Sequence, residues 1–159
     1  MDTIAPIRPA VQRPLRTCLA AGPTAPAEAR NLVVSAVRDW DVPVDPQVAA
    51  LLTSELVTNA IRYEKGDTIK LFVTCSCGHL RVYVHDTSRS APIPLEAPVD
   101  AEAGRGLMLV ASLSTDWGHY RTPAGKAVYF TLAFESESDD RDAGGSPAGR
   151  RGFRGTMNF

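Results

Sequence analysis

The sequence predicts an α+β fold, a two-layer α/β sandwich in which about three helices cover one face of a mixed, mostly antiparallel sheet. The hydrophobic pattern switches repeatedly between the helical repeat and the alternation typical of strands. Turn residues separate these segments, whose order is strand, helix, helix, hairpin, loop, helix, hairpin. A chain of 159 residues with 44% hydrophobic content also suffices for one sizeable core.

The first half of the chain contains a predicted edge strand and two predicted helices. A short alternation of apolar residues indicates the strand over residues 13–20. Thr24 is placed to cap a helix that continues to Trp40. Asp45-Pro46 then has the sequence of a cap and first residue for the amphipathic helix Val48–Tyr63.

The second half is richer in strands. Apolar residues alternate on both sides of Cys77-Gly78, which predicts a hairpin that turns there. Polar and proline-rich residues 85–103 predict a loop, after which Gly104-Arg105-Gly106 opens a short helix. Two more strands follow, at 116–121 and 127–134.

Composition divides the chain into three parts. We expect a flexible N-terminal arm at residues 1–12, one folded domain at 13–134 and a disordered tail at 135–159, because the ends are rich in turn-forming and polar residues. The arginine-rich stretch Arg150–Arg154 is interpreted as a solvated end, with a docking segment as the alternative.

Several classes of function are disfavoured by composition. A net charge of −1 gives no overall basic field, which argues against direct nucleic-acid binding. Cys18, Cys75 and Cys77 are too few for a four-cysteine zinc site and are interpreted as reduced thiols. No apolar stretch has the length of a membrane span, so we expect a cytoplasmic protein without membrane contact.

The Val48–Tyr63 helix has a predicted apolar side, which polar residues interrupt and which is formed by Val48, Leu51, Leu52, Leu56 and Tyr63. Glu55 and Asn59 lie one turn apart, and Arg62 projects from the same side. A carboxylate buried without a partner is strongly destabilising, so it needs protein donors, a metal or a polar ligand. Two hypotheses remain open at this point: a structural Glu55–Arg62 pair, or a binding cavity floored by this helix.

Two further segments have chemistry suited to a polyanionic ligand. Gly104-Arg105-Gly106 opens a helix, whose free backbone N–H groups favour phosphate. The structural alternative is a loop-to-helix junction that needs only the dihedral angles of glycine. Asp86 follows an apolar strand, where its carboxylate can accept a hydrogen bond from the amine of adenine. An Asx-type turn with Ser88 is the structural alternative.

The motifs together resemble those of a known superfamily. Glu55-Leu56-Val57-Thr58-Asn59-Ala60, Asp86-Thr87-Ser88 and Gly104-Arg105-Gly106-Leu107 resemble the N, G1 and G2 boxes of GHKL (Bergerat-fold, histidine kinase-like) ATP-binding domains. Asp116-Trp117-Gly118 followed by Gly125-Lys126 resembles the branch of anti-sigma-factor serine/threonine kinases. The resemblance extends over most of the predicted domain.

This resemblance implies a role for each matching residue. Glu55 corresponds to the catalytic carboxylate that activates the acceptor serine, and Asn59 to the ligand of Mg²⁺ carried by ATP. Asp86 corresponds to the adenine-binding aspartate, and Ser88 lies in the same nucleotide-binding box. The phosphate-contacting segment corresponds to Gly104, Arg105, Gly106 and Leu107.

The chain also departs from the family pattern. Thr87-Ser88-Arg89-Ser90 lacks the glycine-x-glycine that many members carry after the aspartate. Lys126-Ala127 stands where this branch often has lysine-threonine. Tyr63 stands where histidine is frequent, so no chemistry is assigned to it.

Three functions are compatible with the sequence. The first is an ATP- and Mg²⁺-dependent kinase that phosphorylates an anti-anti-sigma (STAS-type) partner and sequesters a sigma factor, a role that also fits a homodimer. The second is an ATP- or ADP-binding interaction module, catalytically weak or inactive, whose nucleotide state sets partner affinity. The third is an unrelated sandwich with a structural Glu–Arg pair.

Overall fold

The computed structural model describes residues 14–63, 67–87 and 102–135. This part of the chain contains three helices and five strands in the predicted order. Their bounds are β1 Leu15–Ala20, α1 Ala25–Asp39, α2 Pro46–Tyr63, β2 Thr68–Ser76, β3 His79–Asp86, α3 Glu102–Leu113, β4 Asp116–Thr122 and β5 Gly125–Ala133. Within the described residues, no helix is long and apolar enough to cross a membrane.

The five strands form one sheet in the order β1-β2-β3-β5-β4. Every pairing is antiparallel, so the described sheet has no parallel component where a mixed one was predicted. β1 lies at one edge, as expected from its short alternation. The central strands β3 and β5 pair although α3 and β4 lie between them in sequence, and this pairing aligns the end of β3 with the start of β5.

The helices cover one face of the sheet, which confirms the α+β two-layer architecture. Alternate strand residues point into a single core shared with the helices. α2 is the central helix, since it contacts α1, α3, β3 and β5. The inward-facing apolar residues of the three middle strands are Ile69, Leu71, Val73, Leu80, Val82, Val84, Val128, Phe130 and Leu132.

The N-termini of α1 and α2 differ in how they are capped. Asp45 caps α2 as predicted, since its Oδ1 accepts a hydrogen bond of 2.8 Å from the backbone N–H of Gln47. Thr24 occupies the cap position of α1 but makes no side-chain hydrogen bond there. Its dihedrals, φ −86° and ψ −17°, are helical instead of extended, so the predicted hydroxyl cap is wrong.

The first hairpin turns at Cys77-Gly78, as predicted. Both residues have positive φ, 50° and 74°, which is the signature of a type I′ turn and matches the twist of the flanking strands. A Cβ on Gly78 would meet the carbonyl oxygen of Phe134 at 2.8 Å. Glycine therefore serves both the turn and the close approach of the chain leaving β5.

Two boundaries next to the candidate site differ from the sequence prediction. β3 continues to Asp86, beyond the predicted end at Val84, because its last residues pair with the start of β5. α3 begins at Glu102, two residues before the predicted Gly104. The N-terminal arm at 1–12, residues 136–159 of the predicted tail and most of the predicted loop lie outside the described residues.

Candidate functional site

The buried side of α2 is rotated from the one that the sequence predicts. Leu51 was expected in the core but is 39% exposed, whereas Ala49, Val57 and Ala60 are fully or almost fully buried. α1 packs along this helix in addition to the sheet, so small residues that face α1 join the core. The polar residues of α2 consequently occupy three different environments.

Glu55 lies at the boundary of the buried side, and the expectation that it points into the middle of the core is wrong. It is half-buried, and Arg62, which follows two turns later, is exposed. Among the described residues no ion pair joins Glu55 to Arg62. The structure thus gives no support to a buried Glu55–Arg62 pair, and it leaves the Glu55 carboxylate partly accessible to solvent.

Asn59 is the polar residue of α2 that is buried without compensation. It is 6% exposed, and neither Oδ1 nor Nδ2 has a hydrogen-bond partner within the described residues. The buried hydroxyls of the same helix are satisfied: Thr53 donates to the carbonyl of Ala49 at 2.8 Å, and Ser54 to that of Leu51 at 3.0 Å. A buried amide in this state is expected at a ligand site, because leaving it unpaired is unfavourable.

Asp86 ends β3 and is buried next to a lysine that sequence analysis did not place in the site. Oδ2 of Asp86 lies 3.9 Å from Nζ of Lys126, and the side chains are 0% and 3% exposed, respectively. The two residues are opposite each other in the β3–β5 register. In the sequence Lys126 stands out only as part of a family motif, because neighbouring residues do not reveal which residue of another strand lies opposite it.

Gly125 brings the backbones of β5 and β3 close together at the same point. A Cβ on this glycine would collide with the carbonyl oxygen of Asp86 and would lie 2.6 Å from Cα of Thr87. The obstacles are backbone atoms, so they cannot turn aside as a side chain would. Gly125 therefore fixes how closely the Asp86-Thr87 segment approaches the start of β5.

The predicted phosphate-binding segment forms the beginning of α3. Leu107 is 1% exposed and belongs to the core, where it anchors this helix. Gly104, Arg105 and Gly106 are helical in backbone. The side chain of Arg105 and the whole of Ser88 lie outside the described residues. Of the predicted site residues, Glu55, Asn59, Asp86 and Leu107 can therefore be placed in the fold.

Packing brings the elements that carry these residues together around α2. This helix contacts β3, β5 and α3. Asp86 is the last residue of β3, Lys126 is the second residue of β5, and Leu107 lies in α3. The described residues include no group of three or more His, Cys, Asp or Glu side chains able to hold a metal ion. The amide oxygen of Asn59, which has no hydrogen-bond partner among the described residues, nevertheless fits a Mg²⁺ ion that brings its other oxygen ligands from phosphates and water.

Two solved structures are similar to this chain. The crystal structure of the RsbU and RsbW domains of Rv1364c from Mycobacterium tuberculosis superposes with a TM-score of 0.57 and 18% identity, covering 77% of this chain and 32% of that one. The histidine kinase domain of the Erythrobacter litoralis EL346 blue-light activated histidine kinase gives a TM-score of 0.45 and 23% identity, covering 66% and 59%, respectively. The chain thus spans about a third of the first protein's length. No curated protein matches the chain.

A family model gives the assignment. The model described as histidine kinase-like ATPase domain matches residues 19–132, well over half of the chain. The matched range begins near the end of β1 and ends one residue before the end of β5, so it contains the three helices and nearly all of the sheet except most of β1. It also includes the α2 helix, Asp86 and Lys126. The chain therefore belongs to the family of histidine kinase-like ATPase domains.

Proposed function

We propose that this protein is an ATP-binding regulatory serine/threonine kinase that acts as an anti-sigma factor in the cytoplasm. The observation that carries the proposal is the buried amide of Asn59, which has no hydrogen-bond partner within the described residues. It lies on the helix that packs against the strand ending in Asp86. A nucleotide with its metal ion would supply partners to both residues.

Each residue has a role that its environment permits. The Asp86 carboxylate accepts a hydrogen bond from the exocyclic amine of adenine, and the Asn59 oxygen ligates Mg²⁺. The first turn of α3, from Glu102 to Gly104, offers free backbone N–H groups to the phosphates, whereas the N–H groups of Gly106 and Leu107 lie within the helix. When bound, the metal neutralises phosphate charge, which is a principal requirement of phosphoryl transfer.

Glu55 is proposed as the general base, because it is half-buried and lies one turn from Asn59. It accepts the proton of the acceptor serine or threonine hydroxyl while that oxygen bonds to the γ-phosphorus. The bond from the γ-phosphorus to the bridging oxygen breaks, and ADP leaves with the electron pair. The products are a phosphorylated partner and ADP.

The proposed acceptor is an anti-anti-sigma protein of the STAS type, and a sigma factor is held when that partner is phosphorylated. The motifs of the anti-sigma branch support this, and the similar Mycobacterium tuberculosis structure contains an RsbW domain beside an RsbU domain. The proposed domain spans residues 13–134, and a homodimer is part of the proposal.

A second candidate function is a nucleotide-binding interaction module without kinase activity. The position of Glu55 favours it, since no ion pair among the described residues fixes the orientation of this carboxylate. The two deeply buried polar residues, Asn59 and Asp86, would bind a nucleotide without any help from Glu55. In this case ATP or ADP sets the affinity for the partner.

A transfer assay with radiolabelled ATP, this protein and a STAS-type protein as acceptor separates the two candidates. The kinase transfers label to the partner, and Glu55→Ala abolishes transfer while ATP binding is retained. Arg62→Ala, an exposed change on the same helix, should leave transfer intact. ATP binding without transfer in the wild type would contradict the kinase and support the module.

Asp86→Asn tests the nucleotide site itself. Calorimetry should show ATP binding weakened by about 1.5–3 kcal/mol, the value of a hydrogen bond to a charged group. Unchanged affinity would show that adenine does not contact Asp86, and it would contradict both candidate functions.

A further inference from the structure

Lys126 is an unusual residue for its position. Its side chain lies on the inner face of β5, in the same alternating row as Val128, Phe130 and Leu132, and it is 3% exposed. Lysine is almost never fully buried unless it is paired. The row of apolar residues therefore ends in a charge at the point where Asp86 ends the matching row of β3.

Lys126 and Asp86 form an ion pair without a direct hydrogen bond between their charged groups. At 3.9 Å, Nζ of Lys126 and Oδ2 of Asp86 attract each other across a buried region, but the distance exceeds that of a direct hydrogen bond. The pair presents an acceptor and a donor side by side. An ammonium group also has three N–H donors, so Lys126 can serve more than one acceptor.

The edge of adenine presents the complementary pattern. Its exocyclic N6 amine donates, and the adjacent ring nitrogen N1 accepts. A carboxylate alone satisfies only the amine, and the ring nitrogen would then be buried without a donor, which is unfavourable. Lys126 is a described donor next to Asp86.

We propose that Lys126 is a specificity-determining residue that donates a hydrogen bond to N1 of the bound adenine while Asp86 accepts from N6. The inference rests on the proposed function, because it requires nucleotide binding at Asp86. It adds a second, positively charged contact to the base. It also gives the Asp86–Lys126 pair two tasks: mutual neutralisation without ligand, and reading of two adjacent atoms when the base is bound.

An adenine analogue tests the contact in the wild-type protein. 1-Deaza-ATP has a C–H group in place of N1 and keeps the N6 amine. We expect it to bind about 10- to 100-fold more weakly than ATP in calorimetric titrations with Mg²⁺, the range for a hydrogen bond to a charged group. Equal binding of the two nucleotides would overturn the inference while leaving the proposed function intact.

Substitution then assigns the effect to Lys126. Lys126→Met keeps the length of the side chain and removes the donor, so it should bind ATP and 1-deaza-ATP with equal affinity. Lys70→Met, the same change at an exposed lysine of β2, should keep the wild-type ratio. A Lys126→Met protein that still discriminates as the wild type does would overturn the inference, since Lys126 would then be only a counter-ion.

A second variant covers the case in which Lys126→Met prevents folding because the Asp86–Lys126 ion pair is lost. Asp86→Asn combined with Lys126→Met removes both charges, and thermal unfolding verifies its fold. This double variant should also lose the preference for ATP over 1-deaza-ATP. A retained preference would overturn the inference, whereas a wild-type protein that binds no ATP at all would overturn the proposed function.

Discussion

The two faces of the sheet are built from different residues. The inner face is aliphatic and is covered by helices, and it ends in the Asp86–Lys126 pair. The outer face has a row of rings: Phe72 and Tyr83 have centroids 5.7 Å apart, Tyr83 and Tyr129 5.6 Å, and Tyr129 and Tyr120 6.4 Å. These outer rings are half-buried or exposed.

The comparison shows where the candidate site comes from. Along β5, the inward residues are buried beneath the helices, whereas the outward Tyr129 is only half-buried. The same strand therefore contributes to the core and to the outer face of the sheet. The site continues the inner face beyond the apolar core, where polar residues replace aliphatic ones. Stability and ligand binding should therefore depend on the inner face, with smaller contributions from the rings outside.

The largest difference between the faces is expected from large-to-small substitutions. Phe130→Ala removes a fully buried ring and should lower the free energy of unfolding by about 3–5 kcal/mol. Tyr83→Ala on the outer face should cost about 1–2 kcal/mol, since mainly partly exposed ring contacts are lost. Urea denaturation measures both, and equal losses would contradict the distinction.

Three glycines provide a graded test of close packing. Gly125→Ala should cost about 3 kcal/mol, because the added Cβ collides with backbone atoms of Asp86 and Thr87. Gly118→Ala should cost about 1 kcal/mol, because the obstacle is the hydroxyl of Tyr129, 2.7 Å away on the outer face, which can shift.

Gly22→Ala is the control in this series. No atom lies within 4 Å of its added Cβ, so the change should stay within about 0.5 kcal/mol. Thermal unfolding should show the largest loss of stability for Gly125→Ala, a smaller loss for Gly118→Ala and the smallest for Gly22→Ala. A Gly125→Ala protein as stable as Gly22→Ala would show that β3 and β5 are not in close contact beside the site.

Asn59→Leu should show that the inner face is not optimised for stability at the site. The change replaces an amide that lacks partners among the described residues by an apolar group of similar size, so stability should rise by about 1 kcal/mol while ATP binding is lost. Thr53→Val on the same helix removes a satisfied hydrogen bond and should not stabilise. Chemical denaturation and calorimetry measure the two effects, and a destabilised Asn59→Leu would contradict the argument.

The smallest expected effect is the contribution of His85, on the outer face, to the pH dependence of stability. Burial, followed by the charge of Lys70, lowers the pKa of His85 below its usual 6.5. The unfolded chain therefore binds a proton more readily, and the stability that neutral His85 contributes is lost as pH falls from about 6.5 through the lowered folded pKa. His85→Phe should reduce this loss in denaturation measured from pH 7.5 to 5. A constant difference between wild type and variant over that range would contradict it.

Sequence reasoning predicted the number, type and order of the described elements because their periodicity is local. The Cys77-Gly78 turn and the Asp45 cap depend on neighbouring residues, and both predictions were confirmed. The buried side of α2 was predicted less well. This helix packs against α1 as well as against the sheet, and the apolar periodicity of its sequence does not reveal the second contact. Leu51 is exposed for this reason.

The candidate site was predictable only where a motif marks it. Glu55, Asn59 and Asp86 stand out as polar residues in apolar segments. The position of Lys126 beside Asp86 depends on strand register, which becomes known only when β3 and β5 are paired. Sequence reasoning could not detect that Asn59 lacks partners among the described residues while Thr53 has one, because this depends on side-chain geometry.

The β3–β5 pairing also has a consequence for how the protein is made. The β2–β3 hairpin can form from local contacts, but Asp86 acquires its counter-charge only after α3 and β4 have been synthesised and β5 has paired with β3. Such non-local pairing is a slow step in folding. A nascent or truncated chain without β5 thus has the helix of Asn59 but lacks the Asp86–Lys126 pair. Nucleotide would consequently stabilise only the finished domain, so binding would report that synthesis and folding are complete.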